Sequence, residues 1–365
     1  MAGIVMAGKV LTLWLAAGLL AALEPPARAG SADPGWKEIY PGVKSMSIVT
    51  EVEEGPVRFY AIAVDLEGAG AEVVVSPPRY IGSKPSSFAK AVGAQLAING
   101  GFWTLVTHKP LGLLVTAGRR WKESVDDQSH GFLAVGKDGS AWISPPEEVV
   151  KNPGKDIVMA LSGTPMIVRD GKVGKTGGCG YVCMKHPRAA IGLDAAGTTL
   201  YLVATDGRQE DSVSIGLETL AKLMIGIGVK DGLNLDGGGS AALYVENQGG
   251  VINRPCDGRE RGVLSSLAIL LRPAVPTQAA SAAGPAAASA VFQPVLAPRT
   301  AVAFSDDDFE KAGTIGLPPR AVGLVKAGFA AGAILLVVAA ASVVAIRRRK
   351  KGRAGVGSGA FPVVR

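Results

Sequence analysis

Short runs of apolar residues, many alternating with polar ones, recur between residues 45 and 271 and predict strands. In chain order these runs are 45–52, 58–66, 71–76, 95–98, 113–116, 131–135, 141–143, 158–161, 166–168, 200–204, 233–236, 241–245 and 264–271. Two segments favour helices instead. In residues 217–227, apolar side chains recur every three or four positions. Residues 85–92 begin with a proline, and Ser83, two positions earlier, is the predicted N-cap. The pattern predicts a single α+β domain over residues 30–272, rich in strands, with mixed sheets and few helices.

Three of the predicted strands run into polar residues and glycines. These strand ends are Asn99-Gly100-Gly101, Asp206-Gly207-Arg208 and Asn234-Leu235-Asp236-Gly237-Gly238-Gly239-Ser240. Strand ends at one edge of a sheet are common places for binding sites. A carboxylate beside bare glycine amides and a hydroxyl can carry acid/base chemistry and hold an anion. Asp-Gly is also ordinary turn sequence, so a glycine-rich turn without chemistry is the alternative.

The two aspartates in these strand ends suggest a particular chemistry. Asp206 and Asp236, with a nearby arginine, are the groups needed to cleave a glycosidic or phosphodiester bond. One carboxyl exchanges a proton, the other orients or stabilises, and a guanidinium binds phosphate with two parallel hydrogen bonds. Phe102 and Trp103 follow the first strand end, and we expect them to pack in the core rather than to form a platform for a sugar.

Several other chemistries fit the sequence poorly. The histidines, His108, His130 and His186, show no HExxH or other paired spacing for a catalytic zinc. The residues around Ser240 lack the last glycine of a GxSxG nucleophile turn, and the chain has no GxxxxGK[ST] phosphate loop. No cofactor is therefore predicted with certainty. A divalent cation such as calcium, held by Asp carboxylates and carbonyls, is left open, although no loop pattern supports it.

The net charge of +7 first suggests a nucleic-acid partner, but its position in the chain argues against one. Seven cations lie in residues 347–365, which contain no acidic residue, so the rest of the chain is formally neutral. The basic character belongs to the tail, and we expect no binding of DNA or RNA by the body.

An apolar segment near the N-terminus predicts export. Residues 10–23 form an apolar run that precedes Ala27-Arg28-Ala29, which is typical of a signal peptide spanning residues 1–29. Because Lys9 is the only charge before this run, an uncleaved anchor is the alternative. The three cysteines are consistent with export. We expect Cys179 and Cys183 to form a disulfide and leave Cys256 over. The alternatives are a bridge from Cys256 to one of the other two, or three free thiols in an anaerobe or a reducing niche.

A second apolar segment predicts a membrane anchor. Residues 327–346 are uncharged, and 20 helical residues are long enough to cross a bilayer. Arg347–Lys351 follow directly, so residues 347–365 are predicted to be a cytoplasmic tail. Residues 273–318, rich in Ala and Pro, are predicted to be a flexible stalk, and residues 319–326 a juxtamembrane segment. The sequence Leu317-Pro318-Pro319-Arg320-Ala321 lacks the Thr-Gly needed for sortase recognition, which favours the anchor.

Four ordered segments of the body resemble the phosphodiester glycosidase family. They are Ala97-Ile98-Asn99-Gly100-Gly101-Phe102, His186-Pro187-Arg188-Ala189-Ala190-Ile191-Gly192, Thr205-Asp206-Gly207-Arg208-Gln209 and Asn234-Leu235-Asp236-Gly237-Gly238-Gly239-Ser240. The resemblance covers residues 45–272. It implies hydrolysis of a sugar-1-phosphodiester, such as one of N-acetylglucosamine-1-phosphate, with the phosphate left on its carrier.

The resemblance also implies roles for single residues. Asp206 and Asp236 match the family's aspartates, Arg188 its arginine, and Asn99 and Asn234 its amides. The sequence departs from the family in two places, which bear on specificity more than on chemistry. Arg188 is followed by alanine instead of the usual threonine, and Ser214 stands where relatives often have glycine.

Two hypotheses of different classes follow. The first is an enzyme anchored outside the plasma membrane that removes a phosphate-linked sugar from an envelope glycopolymer or an exported glycoconjugate. The second is a non-catalytic carbohydrate-binding or matrix module on the same scaffold. The sequence retains both aspartates and Arg188, which favours the enzyme.

The topology can be tested directly. Protease added to intact spheroplasts should degrade the body and spare a small fragment that contains residues 347–365, because only the tail is predicted to be cytoplasmic. Immunoblotting against each end of the chain measures this result. A body that is protected until the membrane is permeabilised would contradict the predicted orientation.

Overall fold

The computed structural model describes residues 35–104, 107, 109–124, 126, 129–148, 156–272 and 302–310. The predicted signal peptide, juxtamembrane segment, membrane helix and cytoplasmic tail lie outside these residues. Across the described ranges, the helices are all too short or too polar to traverse a bilayer.

The described residues form eighteen strands and three α-helices, most of them short. The strands are β1 Lys37–Tyr40, β2 Val43–Val52, β3 Gly55–Asp65, β4 Ala71–Val75, β5 Leu96–Asn99, β6 Leu114–Thr116, β7 Arg119–Arg120, β8 Gly131–Gly136, β9 Ala141–Ser144, β10 Ile157–Gly163, β11 Met166–Arg169, β12 Lys172–Val173, β13 Arg188–Leu193, β14 Thr199–Thr205, β15 Asp231–Asn234, β16 Leu243–Val245, β17 Gly250–Val251 and β18 Ser266–Leu271. The helices are α1 Pro85–Val92, α2 Leu217–Gly226 and α3 Asp307–Glu310. The predicted strand-rich domain with few helices is confirmed.

The strands form three sheets. The largest has eight strands in the order β1-β2-β3-β14-β13-β15-β11-β12. The second has the order β7-β6-β10-β8-β9, and the third the order β17-β16-β5-β18-β4. Neighbouring strands in the described part of the chain pair in antiparallel fashion, for example β13 with both β14 and β15. The sequence predicted mixed sheets, whereas the described strand pairs are antiparallel.

The core lies between the three sheets, and a second apolar layer covers the outer face of the largest one. Along β14, Leu200, Leu202 and Ala204 point into the first cluster, while Tyr201 and Val203 point into the second, which α2 completes. Because successive side chains of a strand face opposite sides, this burial on both faces requires an almost continuous apolar sequence. The central strands are therefore fixed on both sides.

The sequence did not predict β13, although it lies at the centre of the largest sheet. Its residues include alanines and a glycine, which are uncommon in strands. Space explains this composition. A Cβ on Gly192 would lie 2.5 Å from the side chain of Val229, and Gly192 pairs with Gly232 of β15. Small side chains let the segment after α2 approach the sheet closely.

The start of α1 also differs from the prediction. The N-cap is Lys84 rather than Ser83, and its side chain makes no capping hydrogen bond. Instead, Glu260 accepts a hydrogen bond of 2.8 Å from the backbone N–H of Ser86. A carboxylate distant in sequence therefore satisfies a helix N–H that a local hydroxyl was expected to satisfy.

Residues 302–310, which fall within the segment predicted as a stalk, contact the body. The Arg79 guanidinium donates to Asp308 at 3.0 Å, and the N–H of Val302 donates to Glu72 at 2.5 Å. The guanidinium of Arg119 lies 3.9 Å from the ring centre of Phe309. This part of the segment packs on the domain, and residues 273–301 and 311–318 lie outside the described residues.

Leu233 tests the first core cluster. It is fully buried on β15, so Leu233→Ala should lower the free energy of unfolding by about 2–5 kcal/mol, through lost burial and the cavity left behind. Val49→Ala is the matched control, because Val49 is 57% exposed and should change stability by less than about 1 kcal/mol. Urea denaturation followed by tryptophan fluorescence measures both. Similar effects for the two variants would contradict the described packing.

Candidate functional site

The candidate site is built around Asp236, two residues beyond the end of β15. Its backbone N–H donates to the carbonyl of Gly100 at 3.1 Å, which ties it to the end of β5. The Asn99 side-chain amide donates to the carbonyl of Asp236 at 2.6 Å, and the Asn99 amide oxygen accepts from the N–H of Ala242 at 3.1 Å. Asn99 is fully buried, so one side chain holds both ends of the glycine turn between residues 236 and 242.

The Asp236 carboxyl has an unusual environment. Burial raises its pKa from 3.8 to about 6, and this effect exceeds the opposing hydrogen bonds from the Ser240 hydroxyl, the Gly237 N–H and the Trp103 side chain. The nearby charge of Arg261 also lowers the pKa. Part of the residue stays exposed. A carboxyl that ionises close to neutral pH and can meet a ligand is a candidate acid/base group.

Trp103 has a role that the sequence did not predict. We expected core packing, and the ring does pack partly buried against the first apolar cluster. Its side chain also donates a hydrogen bond to Asp236. No sequence signal linked the two residues, because they lie 133 positions apart.

Two arginines lie against the glycine turn. Gly238 has φ of +62°, and a Cβ there would lie 3.4 Å from the Arg208 guanidinium. A Cβ on Gly239 would overlap Arg261 and its partner Asp257. At Gly239 only a glycine leaves room for the guanidinium, and at Gly238 the positive φ favours glycine. The result is a pair of guanidinium groups beside the carboxyl of the candidate site, of which Arg261 is ion-paired with Asp257.

Arg208 is held in place by neutral partners. Its Nη2 donates to Nδ1 of His186 at 2.9 Å, and its Nη1 lies 3.7 Å from Sγ of Cys256. Nε2 of His186 lies 2.9 Å from the carbonyl of Tyr181, so the imidazole carries its proton on Nε2. Burial lowers the pKa of His186, and the charges of Arg188 and Arg208 lower it further. The neutral ring therefore orients Arg208 without neutralising its charge.

Asp206, predicted as the second catalytic carboxyl, is placed differently. It is fully buried, and both oxygens accept hydrogen bonds from protein groups. The Tyr60 hydroxyl donates to it at 3.0 Å and the Arg254 N–H at 2.7 Å. Burial and the Asp206 charge raise the pKa of Tyr60, so that hydroxyl stays protonated. Asp206 has no exposed surface, and its hydrogen bonds join it to Tyr60 and Arg254. Its predicted part in a catalytic pair flanking a sugar carbon stays a prediction.

Arg188, predicted to bind phosphate, also lies in the interior. It is 2% exposed, and its guanidinium donates to the carbonyls of Ile215 at 3.1 Å, Val182 at 2.9 Å and Met184. Burial lowers its pKa to about 10, so it remains charged at neutral pH. Three backbone carbonyls thus accept from the buried guanidinium, and these bonds hold the loop before β13. Phosphate binding by Arg188 stays a prediction.

Asn234, Gly100 and Gly207, also predicted as site residues, make packing contacts or hydrogen bonds near the site. The Asn234 amide donates to the carbonyl of Thr164 at 2.8 Å, and among the described residues its buried oxygen has no hydrogen-bond partner. A Cβ on Gly100 would overlap Ser265, and one on Gly207 would lie 2.9 Å from Ser214. These glycines allow close packing behind the site.

Side chains able to bind a metal do not cluster in the described part of the chain. No group of three or more His, Cys, Asp or Glu side chains there could hold a metal ion. His108 lies outside these residues. The structure pairs Cys179 with Cys183 at a Cα–Cα distance of 5.3 Å, and Cys256 is a thiol.

Comparisons with known proteins confirm the resemblance. Residues 92–270, which contain all four sequence motifs, match the family model described as phosphodiester glycosidase. N-acetylglucosamine-1-phosphodiester alpha-N-acetylglucosaminidase of Bos taurus is 30% identical over 174 residues, which cover 43% of this chain and 32% of the relative. The Homo sapiens protein of the same name is also 30% identical over 174 residues, which cover 43% of this chain and 33% of the relative. The chain thus spans about a third of the curated relatives it matches.

A solved structure shares the fold. The zebrafish N-acetylglucosamine-1-phosphodiester alpha-N-acetylglucosaminidase catalytic domain, auto-inhibited by its pro-peptide, matches with a TM-score of 0.53 and 23% identity. The match covers 65% of this chain and 86% of that chain. The likeness shows that the strand-rich architecture occurs in that catalytic domain.

The two arginines give a matched test of the site. Arg188→Lys should lower the free energy of unfolding by about 1–3 kcal/mol, because a lysine leaves buried carbonyls unsatisfied. Arg208→Lys should change it by less than about 1 kcal/mol, because the side chain is exposed. Chemical denaturation of both variants measures the difference. Equal stability of the two would contradict the structural role of Arg188.

Proposed function

We propose, from the resemblance of residues 92–270 to the phosphodiester glycosidases, that this protein hydrolyses a sugar-1-phosphodiester. The sugar is released and the phosphate stays on its carrier, as in a linkage of N-acetylglucosamine-1-phosphate. The observation that carries the proposal is the Asp236 carboxyl, whose pKa is raised to about 6 beside a glycine turn flanked by two guanidinium groups. Such an arrangement suits a bond between a sugar carbon and a phosphate.

The pair of guanidinium groups of Arg208 and Arg261 is the proposed phosphate site. Guanidinium groups bind phosphate oxygens through parallel hydrogen bonds. The N–H groups of Gly237 and Gly238 are already bound, to the Asp236 carboxyl and to the carbonyl of Pro187 at 2.9 Å, so the two arginines are the proposed donors. Arg261 already pairs with Asp257, which holds it against Gly239. The phosphate would thereby be fixed with its sugar directed at the neighbouring Asp236.

Asp236 is the proposed base. A phosphate ester is a good leaving group without protonation, so the demanding steps are stabilisation of positive charge on the sugar and delivery of water. The ionised carboxylate takes a proton from water as the water oxygen bonds to the anomeric carbon. The bond from that carbon to the phosphate oxygen breaks, and its electron pair leaves on the phosphate, beside the arginines.

Asp206 contributes by positioning the phosphate site. It accepts from the backbone N–H of Arg254, which starts the segment leading to Cys256 and Asp257. Cys256 lies against Arg208, and Asp257 holds Arg261. A buried carboxylate therefore fixes the segment that touches both arginines, although it does not itself reach the substrate in this arrangement.

The proposed location is the outer face of the plasma membrane, and the proposed substrate class is an envelope glycopolymer or an exported glycoconjugate. The support comes from the sequence: a signal peptide over residues 1–29, an apolar segment over residues 327–346 and basic residues directly after it. A non-catalytic carbohydrate-binding module is the competing function, and it would have no use for a carboxyl that ionises near neutral pH.

Replacement of the base is the decisive test. Asp236→Asn should lower kcat on a sugar-1-phosphodiester by about 10²–10⁴, the usual effect of losing a general acid or base. Asp138→Asn is the matched control, because Asp138 is a carboxylate in the exposed turn between β8 and β9. Circular dichroism should show that both variants fold. Normal turnover by a folded Asp236→Asn protein would make the motif only a turn.

The pH profile gives an independent reading of the same carboxyl. Because the pKa of Asp236 is raised from 3.8 to about 6, the active carboxylate is present above pH 6 and is lost as the pH falls through 6. The kcat/KM of the unmodified protein should decline about tenfold per pH unit on the acidic side. A profile flat down to pH 4.5 would contradict the assignment of Asp236 as the base.

A further inference from the structure

Two exposed apolar side chains occur in the loop that precedes β13. Tyr181 is 69% exposed and Met184 is 59% exposed, the highest values among the large apolar residues of the described part of the chain. Single exposed apolar residues are ordinary. Two such residues three positions apart, one an aromatic ring and one an adaptable thioether, form a surface suited to an apolar ligand group.

The backbone of this loop is held firmly. The disulfide between Cys179 and Cys183 closes it, and the buried Arg188 donates to the carbonyls of Val182 and Met184. The carbonyl of Tyr181 accepts from the N–H of Met184 at 3.1 Å. Exposure of the two side chains therefore does not follow from a loose loop. A rigid loop presents its side chains to a ligand with little loss of conformational entropy.

Contacts connect this loop to the candidate site. The Tyr181 and His186 rings lie 4.5 Å apart, and His186 accepts from Arg208. Arg208 in turn lies against Gly238, two residues after Asp236. Along this series of contacts the guanidinium that binds phosphate in the proposed function stands between the exposed ring and the carboxyl.

We propose that Tyr181 and Met184 form a subsite for the group on the far side of the phosphate, the aglycone. The inference rests on the proposed function, which places the sugar at Asp236 and the phosphate at Arg208. The second ester oxygen then leads toward Tyr181. The subsite takes an aglycone with a flat apolar face, because a ring and a thioether offer dispersion contacts and no charge. Arg188 and the disulfide are its positioning elements.

Two substrates with the same sugar test the subsite. They are the methyl and the benzyl diesters of N-acetylglucosamine-1-phosphate, which differ only in the aglycone. Tyr181→Ala should raise KM for the benzyl diester about tenfold, leave KM for the methyl diester within about twofold, and leave kcat unchanged for both. Tyr181→Phe should retain the preference, because the ring and not the hydroxyl makes the contact. Trp142→Ala, which removes an exposed ring on β9, is the matched control.

Reduction of the disulfide tests the positioning elements. Dithiothreitol should raise KM for the benzyl diester and not for the methyl diester, whereas a Cys179→Ser, Cys183→Ser protein should behave as the reduced protein with or without the reagent. Equal effects on the two diesters, or no effect of Tyr181→Ala on either, would overturn the inference.

A binding measurement separates this inference from the proposed function. Calorimetry with the Asp236→Asn protein gives Kd for both diesters without turnover. Tighter binding of the benzyl diester that Tyr181→Ala abolishes supports the subsite, even if the unmodified protein hydrolyses neither diester, a result that would overturn the hydrolase alone. Equal Kd values for the two diesters would overturn the subsite while leaving hydrolysis untouched.

Discussion

The candidate site depends on one buried amide, the side chain of Asn99. It stands at the end of β5 in one sheet and bonds to Asp236, which follows β15 of another sheet, and to Ala242 beyond the glycine turn. A buried amide that lost either partner would leave a polar group unsatisfied at a cost of about 1–3 kcal/mol. The junction of the two sheets therefore fixes the backbone on which the carboxyl of Asp236 stands. Strand ends that are far apart in sequence become one site through this contact.

The site also shows how burial can serve chemistry. Asp236 receives hydrogen bonds from Ser240, Gly237 and Trp103, yet burial outweighs them and raises its pKa to about 6. Because the pKa is raised, the ionised carboxylate lowers the free energy of unfolding above pH 6. This loss of stability disappears as the carboxyl becomes protonated at lower pH. A carboxyl with a pKa raised in this way is typical of a functional group, which agrees with its role as the base of the proposed hydrolysis.

The buried ionic groups around the site act on segments of backbone. Arg188 holds the disulfide loop and Asp206 holds the segment that begins at Arg254. These two segments carry the groups that contact Arg208, namely His186 through the first and Cys256 through the second. Two charges without access to solvent thus set the position of one charge with access to it. Such an arrangement explains why residues important for a site can be far from any ligand.

Much of the architecture follows from the sequence alone. Alternating apolar residues predicted most strands to within one or two positions, and the spacing over residues 217–227 predicted α2, because these patterns reflect the period of each element and the burial of one face. Strand β13 was missed because close packing against Val229 demanded small residues in place of typical strand formers. The short strands β1, β7, β12 and β17 were missed as well, because so few residues carry too little pattern.

For the site, the sequence determined the chemical groups, and the tertiary structure decided what each group touches. The motifs named Asp236, Arg208 and the three glycines from local features: a strand end, a carboxylate and residues without a Cβ. These motifs could not distinguish a carboxylate in contact with solvent from a buried one that holds a loop. Asp206 and Asp236 therefore looked equivalent, and Arg188 looked like a phosphate-binding residue. Burial and hydrogen-bond partners come from segments distant in the chain, as do Trp103 and Arg261 beside Asp236. Side-chain roles set by such long-range contacts are settled only when the sheets pack, because no local pattern records which donors will surround a charge.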